Sequence, residues 1–234
     1  MRKMIVLVLA LVMCVGTSTA LAKPDIQEVK LIYAQEVAQK LNNENLFEGT
    51  DKGFELEKKL TRAEMCTLLD RLLPKGEFTS VAEFYTDMQD DHWAAGAICN
   101  LTAYGWVNGF EDKSFRPDEW VKAGELSAML IRATGYSMLT DEECYPWYSN
   151  IMKIAKENGI FENLDGVVEN EPVSRATAVI MYYNALNIPM VQTTGMNFEG
   201  GSLVPTVEIM DGTTEDKPLT TLFSEYKKML EEAN

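Results

Sequence analysis

One property limits what this chain can fold into more than any other: part of it occurs three times. The stretches YAQEVAQKLNNENL from Tyr33, WAAGAICNLTAYGW from Trp93 and WYSNIMKIAKENGI from Trp147 align without a gap. In each, thirteen residues separate the leading aromatic from the apolar residue that follows Asn45, Gly105 or Gly159. The period lies between 50 and 60 residues, which specifies an architecture of repeated units.

Each aligned stretch reads as a helix closed by a left-handed residue, Asn45, Gly105 or Gly159. Turn-rich segments follow, FEGTDKGFELEKK, VNGFEDKSFRPDEW and FENLDGVVENEP, in which Gly49 matches Gly109 and Phe54 matches Phe115. A second helix comes next: LTRAEMCTLLDRLL, VKAGELSAMLIRAT and VSRATAVIMYYNAL. Met65, Leu126 and Ala178, then Leu68, Met129 and Met181, then Leu69, Leu130 and Tyr182 keep i, i+3, i+4 spacing. That spacing predicts a buried stripe on all three second helices. Asp87 and Asp141 each stand six residues before Trp93 and Trp147, whereas the first copy has Gln27 there.

The start of the second helix carries the most informative residues. Thr61 and Glu64 have capping-box spacing, and Ser174 is an N-cap. Neither device requires Arg62 or Arg175, and a cation just inside a helix start is mildly disfavoured by the dipole. Their recurrence points to ligand contact. The middle copy reads Lys122-Ala123-Gly124-Glu125, with no arginine at the motif position. Trp93 and Trp147 are expected to pack partly in the core, and Asp87 and Asp141 also suit turns or caps ahead of a helix. Gly105, Gly109 and Gly159 need only backbone reasons. His92 has no metal-ligand partner at suitable spacing. DKSFRPDE lacks the glycine and acidic spacing of a calcium loop. The sequon at Asn100 falls inside an expected helix.

The ordered set, most complete in YTDMQDDHWAAGAICNLTAYGWVNGFEDKSFRPDEWVKAGELSAMLIRATGY and in LTRAE, resembles the S-layer homology domain, with copies from about residue 26 to 188. The resemblance implies a mainly α fold. Three helix–loop–helix repeats would stand in a pseudo-threefold arrangement around a central helical bundle, with grooves between repeats. It also implies non-covalent attachment to bacterial cell-wall polysaccharide, typically a secondary polymer bearing pyruvylated sugars. Matching positions would be Arg62, Asp87, Trp93, Lys122, Asp141, Trp147 and Arg175. A guanidinium at a helix start can pair with a carboxylate, and an aromatic face can stack on a sugar ring.

The flanks suggest export. Met1-Arg2-Lys3, an apolar run to Val15 and Ala20-Leu21-Ala22 read as a signal peptide over residues 1–22. That run is too short for a membrane span. Its removal takes two positive charges, changing the formal charge from −15 to −17 and arguing against nucleic acid or an anionic membrane as partner. Cys66, Cys99 and Cys144 read as small core residues rather than a disulfide framework. The repeats would occupy residues 23–79, 80–137 and 138–190. Residues 191–234 would be an acidic linker followed by an amphipathic helix marked by Leu219, Leu222, Phe223, Tyr226 and Leu230. No nucleophile–base set, metal cluster or phosphate loop indicates an enzyme, and no cofactor is expected. The expected role is a secreted wall-binding protein at the cell surface. The alternative is an envelope scaffold whose degenerate grooves bind a protein partner.

Overall fold

The computed structural model describes residues 26–73, 80–135, 147–199 and 202–209. Among them the fold is mainly α. Six α-helices, α1 (Ile26–Asn43), α2 (Arg62–Leu69), α3 (Ala95–Ala103), α4 (Ala123–Ala133), α5 (Trp147–Glu157) and α6 (Arg175–Ala185), precede one hairpin, β1 (Val191–Glu199) and β2 (Ser202–Ile209). The expected leader, Asp141, Cys144 and the expected amphipathic stretch from Leu219 lie outside the described residues. Among the described residues no helix is long and apolar enough to cross a membrane.

The helix ends follow the sequence logic. Asn45, Gly105 and Gly159 have φ of 58°, 70° and 81°, so the chain leaves the three first helices through the same left-handed step. After that step Leu46, Trp106 and Ile160 return their N–H groups to the carbonyls of Leu41, Leu101 and Ala155. Thr61 starts α2 with a complete capping box, its hydroxyl accepting from Glu64 N–H at 3.1 Å while the Glu64 carboxylate accepts from Thr61 N–H at 2.7 Å. All nine stripe residues of the second helices are buried.

Helix packing is cyclic. The first helix of each helix–loop–helix segment packs on the second helix of another: α3 on α2, α5 on α4, and α1 on α6. At the centre, Val121 N–H donates to Leu60 C=O, Val173 N–H to Val121 C=O and Leu60 N–H to Val173 C=O, at 2.9, 3.0 and 3.3 Å. Three residues from three segments thus close a ring of backbone hydrogen bonds. All three side chains are buried in one continuous core. Each bond joins residues 52 or more positions apart, so the ring forms only when all three segments are present.

Residues 191–209 differ from the expected linker. They form an antiparallel hairpin in which Val191 stands opposite Ile209 and Glu199 opposite Ser202, with an irregularity between Thr193 and Gly195. Val191 N–H donates to Thr134 C=O at 3.0 Å, tying the hairpin to the end of α4. Gly135, at φ 91°, allows this approach, because a Cβ there would stand 1.9 Å from the Val191 carbonyl oxygen.

Candidate functional site at the segment seams

Each second helix begins against the turn-rich loop of another segment. The first N–H groups of an α-helix have no partner inside it, and here the loops supply the acceptors. Arg62 and Ala63 donate to the carbonyls of Glu119 and Pro117, Ala123 and Gly124 to those of Glu171 and Glu169, and Arg175 and Ala176 to those of Lys58 and Leu56. The three seams so formed contain most of the residues singled out from the sequence.

Arg62 is not held out towards a groove, as its position in the motif suggested. It is 3% exposed, with Nε donating to Phe115 C=O at 2.9 Å and Nη2 to Asn108 C=O at 3.2 Å. The guanidinium lies 4.8 Å from the Phe110 ring centroid and 4.7 Å from that of Phe115. Arg175 is 8% exposed and treats the first loop in the same way, with Nε on Phe54 C=O at 2.9 Å and Nη2 on Glu48 C=O at 3.0 Å. Burial pushes the Arg175 pKa down, opposed by the carboxylates of Glu64 and Glu55. Five donors in a planar fork let one arginine hold two carbonyls at once, which the point charge of a lysine does not match. Both arginines therefore fix loop backbone.

Asp87 also acts on a loop. Its two carboxylate oxygens accept from the consecutive N–H groups of Phe115 and Arg116, each at 2.7 Å. Arg116 has φ 58° in this bend, and Glu55 at the matching position of the first loop has φ 48°. Lys122 is half-buried at the start of α4, and the Glu125 carboxylate accepts from its N–H at 3.1 Å. Trp147 opens α5.

Trp93 departs from the expected core packing. It precedes α3 and is 62% exposed, its ring centroid 5.5 Å from that of His92. Trp120 is a second exposed indole, standing opposite Thr61 in a β-bridge at the start of α2. Sequence alignment passes over it because the matching positions are Lys59 and Pro172.

A groove of about 250 Å³ opens between α1, the first and third loops and the start of α6. Leu31, Leu56, Leu164 and Ile180 supply its apolar surface, while Lys30, Glu57, Ser174 and Thr177 supply polar groups. The Lys30 ammonium is 3.9 Å from the exposed Asp165 carboxylate. Leu56 and Leu164 sit in turn-rich segments outside the helical periodicity, so sequence reasoning had no signal for them.

The other polar candidates are absorbed by structure. His92 Nδ1 accepts from Ala94 N–H at 3.2 Å, and Asn100 donates to Asp70 at 2.6 Å from within α3. Cys66 and Cys99 are buried, and burial pushes the Cys66 thiol up to about 12. Among the described residues no group of His, Cys, Asp and Glu could hold a metal ion.

Part of this chain is similar to known proteins. The family model of the S-layer homology domain matches residues 84–122, the stretch from just before Asp87 to Lys122. The middle cell wall protein of Brevibacillus brevis is 28% identical over 162 residues, covering 68% of this chain and 15% of that protein. The surface layer protein of Brevibacillus choshinensis is 29% identical over 199 residues, 82% of this chain and 17% of that protein. The cellulosome-anchoring protein of Acetivibrio thermocellus is 34% identical over 97 residues, 40% of this chain and 22% of that protein. The chain thus spans about a sixth to a fifth of the length of these curated relatives. Asp87, Trp93, Gly109, Phe115 and Lys122, the residue before α4, all lie inside the matched stretch, which is similar to the S-layer homology domain.

Proposed function

We propose that this protein is exported and holds itself non-covalently on the bacterial cell wall, with wall polysaccharide as ligand and a pyruvylated secondary polymer as its preferred form. In this reading three S-layer homology repeats stand in a pseudo-threefold arrangement, and the polymer lies in grooves between them. The protein acts by binding, not by catalysis, and needs no cofactor.

The observation that most supports this reading is the groove between α1 and α6. Leucine and isoleucine side chains suit the apolar face of a sugar ring, and the hydroxyls of Ser174 and Thr177 suit its rim. Lys30 provides a cation for an acidic substituent. Trp93 offers an open face for stacking. Trp147 is a ligand contact in this reading by its match to the motif alone. Lys122 and, by its match to the motif, Asp141 are further ligand contacts in this reading. Arg62, Asp87 and Arg175 serve binding through the loops that they hold. Names among the relatives, a cell wall protein, a surface layer protein and a cellulosome-anchoring protein, lend the reading weight.

The test is retention on purified wall sacculi, before and after chemical removal of the secondary polymer. Retention that disappears with the polymer supports the proposal, and retention indifferent to it sinks the proposal. A second reading, an envelope scaffold with a protein partner, draws on the inward orientation of Arg62 and Arg175. It predicts no retention on sacculi under either condition.

A further inference from the structure

We infer that the arginine and the glutamate of the TRAE-type motif form a pair between neighbouring repeats, that Arg62, Glu125, Arg175 and Glu64 are positioning residues for the loops, and that one of the three seams has lost this pair as a unit. The inference stands on the geometry; only its bearing on wall binding rests on the proposed function.

The first pair is explicit. Arg62 at the start of α2 has Nη1 3.4 Å from Glu125 Oε2 at the start of α4, and both side chains are buried. Glu125 is held for this by its own helix, since the same oxygen accepts from Lys122 N–H. The second seam repeats the loop contacts. Arg175 makes the same two carbonyl contacts on the first loop that Arg62 makes on the second, and the Glu64 carboxylate acts on it through its charge, outside direct ion-pair contact. Glu64 is likewise held by Thr61 N–H. Within each motif the arginine and glutamate therefore belong to different seams.

Extending the cycle to the third seam joins residue 123 on α4 to residue 177 on α6. Ala123 and Gly124 dock on the third loop as Arg62 and Ala63 dock on the second, so this seam is built alike in its backbone. Its side chains are Ala123 and Thr177, and the pair is missing from both ends. Taken motif by motif, KAGE has lost an arginine and SRAT has lost a glutamate, two unrelated defects. Taken between repeats they are one change. Removing only one partner would strand a buried charge, whereas removing both leaves small or neutral groups. Thr177 turns its hydroxyl to Ser174 Oγ at 3.2 Å instead.

The test is a pair of double-mutant cycles on the full chain, read by thermal unfolding. Arg62→Met and Glu125→Gln together should lower Tm by less than the sum of the single losses. Ala123→Arg and Thr177→Glu together should give a higher Tm than the sum of the single effects. The expected non-additivity is about 2–8 °C in each cycle. Additivity within about 1 °C in both cycles overturns the pairing, and the second cycle decides alone should Arg62→Met fail to fold. Retention of Arg62→Met on intact and on depyruvylated sacculi separates positioning from contact. Loss by the same factor on both supports positioning, and loss confined to the pyruvylated wall overturns it. If the wild-type chain is not retained at all, the proposed function falls while the cycles still decide the pairing.

Discussion

Replacing Asp87 separates a residue that shapes a loop from one that touches a ligand. Its carboxylate accepts two backbone N–H groups at 2.7 Å, from Phe115 and Arg116, and Thr86 N–H bonds Lys113 C=O at 2.8 Å beside it. Hydrogen bonds to a charged acceptor contribute about 1.5–3 kcal/mol each when shielded, and less where water competes. Asp87 is exposed, so about 1 kcal/mol per bond, or about 2 kcal/mol for Asp87→Ala, is the appropriate scale. Part of that loss comes from Arg116, whose left-handed conformation at φ 58° then lacks its main restraint. For a chain of this size 1 kcal/mol corresponds to about 2–4 °C, giving a Tm lower by about 4–8 °C. Asp87→Asn keeps one acceptor and should lose about half as much. The assay is thermal unfolding followed by circular dichroism, with retention on sacculi measured on the same samples. Asp87→Ala with an unchanged Tm and abolished retention would refute the loop-clamp argument, because the carboxylate would then be facing the polymer.

Trp93→Ala should leave Tm within about 1 °C, since the side chain is 62% exposed, yet weaken retention on sacculi by about fivefold or more, as loss of an aromatic stacking face implies. Gly109→Ala should destabilise by about 1–3 kcal/mol, because the new Cβ would stand 2.5 Å from the Tyr85 ring and 2.6 Å from the Ser114 carbonyl oxygen; a Tm equal to wild type would contradict that contact. The Asp112 carboxyl is held down to about 2 by the Ser114 hydroxyl, the Ser114 N–H and Arg116. Its folded pKa lies below the ordinary 3.8, so its stabilising effect is full above that value and fades as pH falls towards about 2. Carbon-detected titration of Asp112 should give a midpoint near 2, and a midpoint near 3.8 would mean that the loop contacts are absent in solution.

The parts of the fold that the sequence revealed are those set by local rules. Asn45, Gly105 and Gly159 are left-handed because a helix end needs such a residue, and that need is written within four or five positions. The buried stripe from Met65 to Leu69 follows equally from periodicity. The hairpin was missed although its signal was present: Gly200-Gly201 between two segments rich in Thr, Val and Phe is turn chemistry. The abundance of Gly, Thr, Glu and Asp over residues 191–218 points to a loop instead. Trp93 is expected to pack partly in the core, whereas α3 begins only at Ala95 and leaves the indole ahead of the helix.

Orientation at the seams could not be read locally, and Arg62 shows why. The carbonyls that capture its guanidinium belong to Asn108 and Phe115, 46 and 53 residues away, and its carboxylate partner lies at Glu125. A motif match fixes where such a side chain starts, and the fold decides where it ends. The same holds for what a degenerate motif means. Counting intact copies treats each repeat as an independent site, and on that count the middle copy is damaged in its arginine and the third in its glutamate. In the inferred scheme the unit is the seam, which takes the arginine of one segment, the glutamate of the next and the loop between them. By that measure the seam of Arg62 and Glu125 is complete, that of Arg175 and Glu64 keeps both residues, and the seam between α4 and α6 is changed at both ends. Substitutions in such a chain are then best grouped by seam, and motif-by-motif scoring will misjudge which of them compensate.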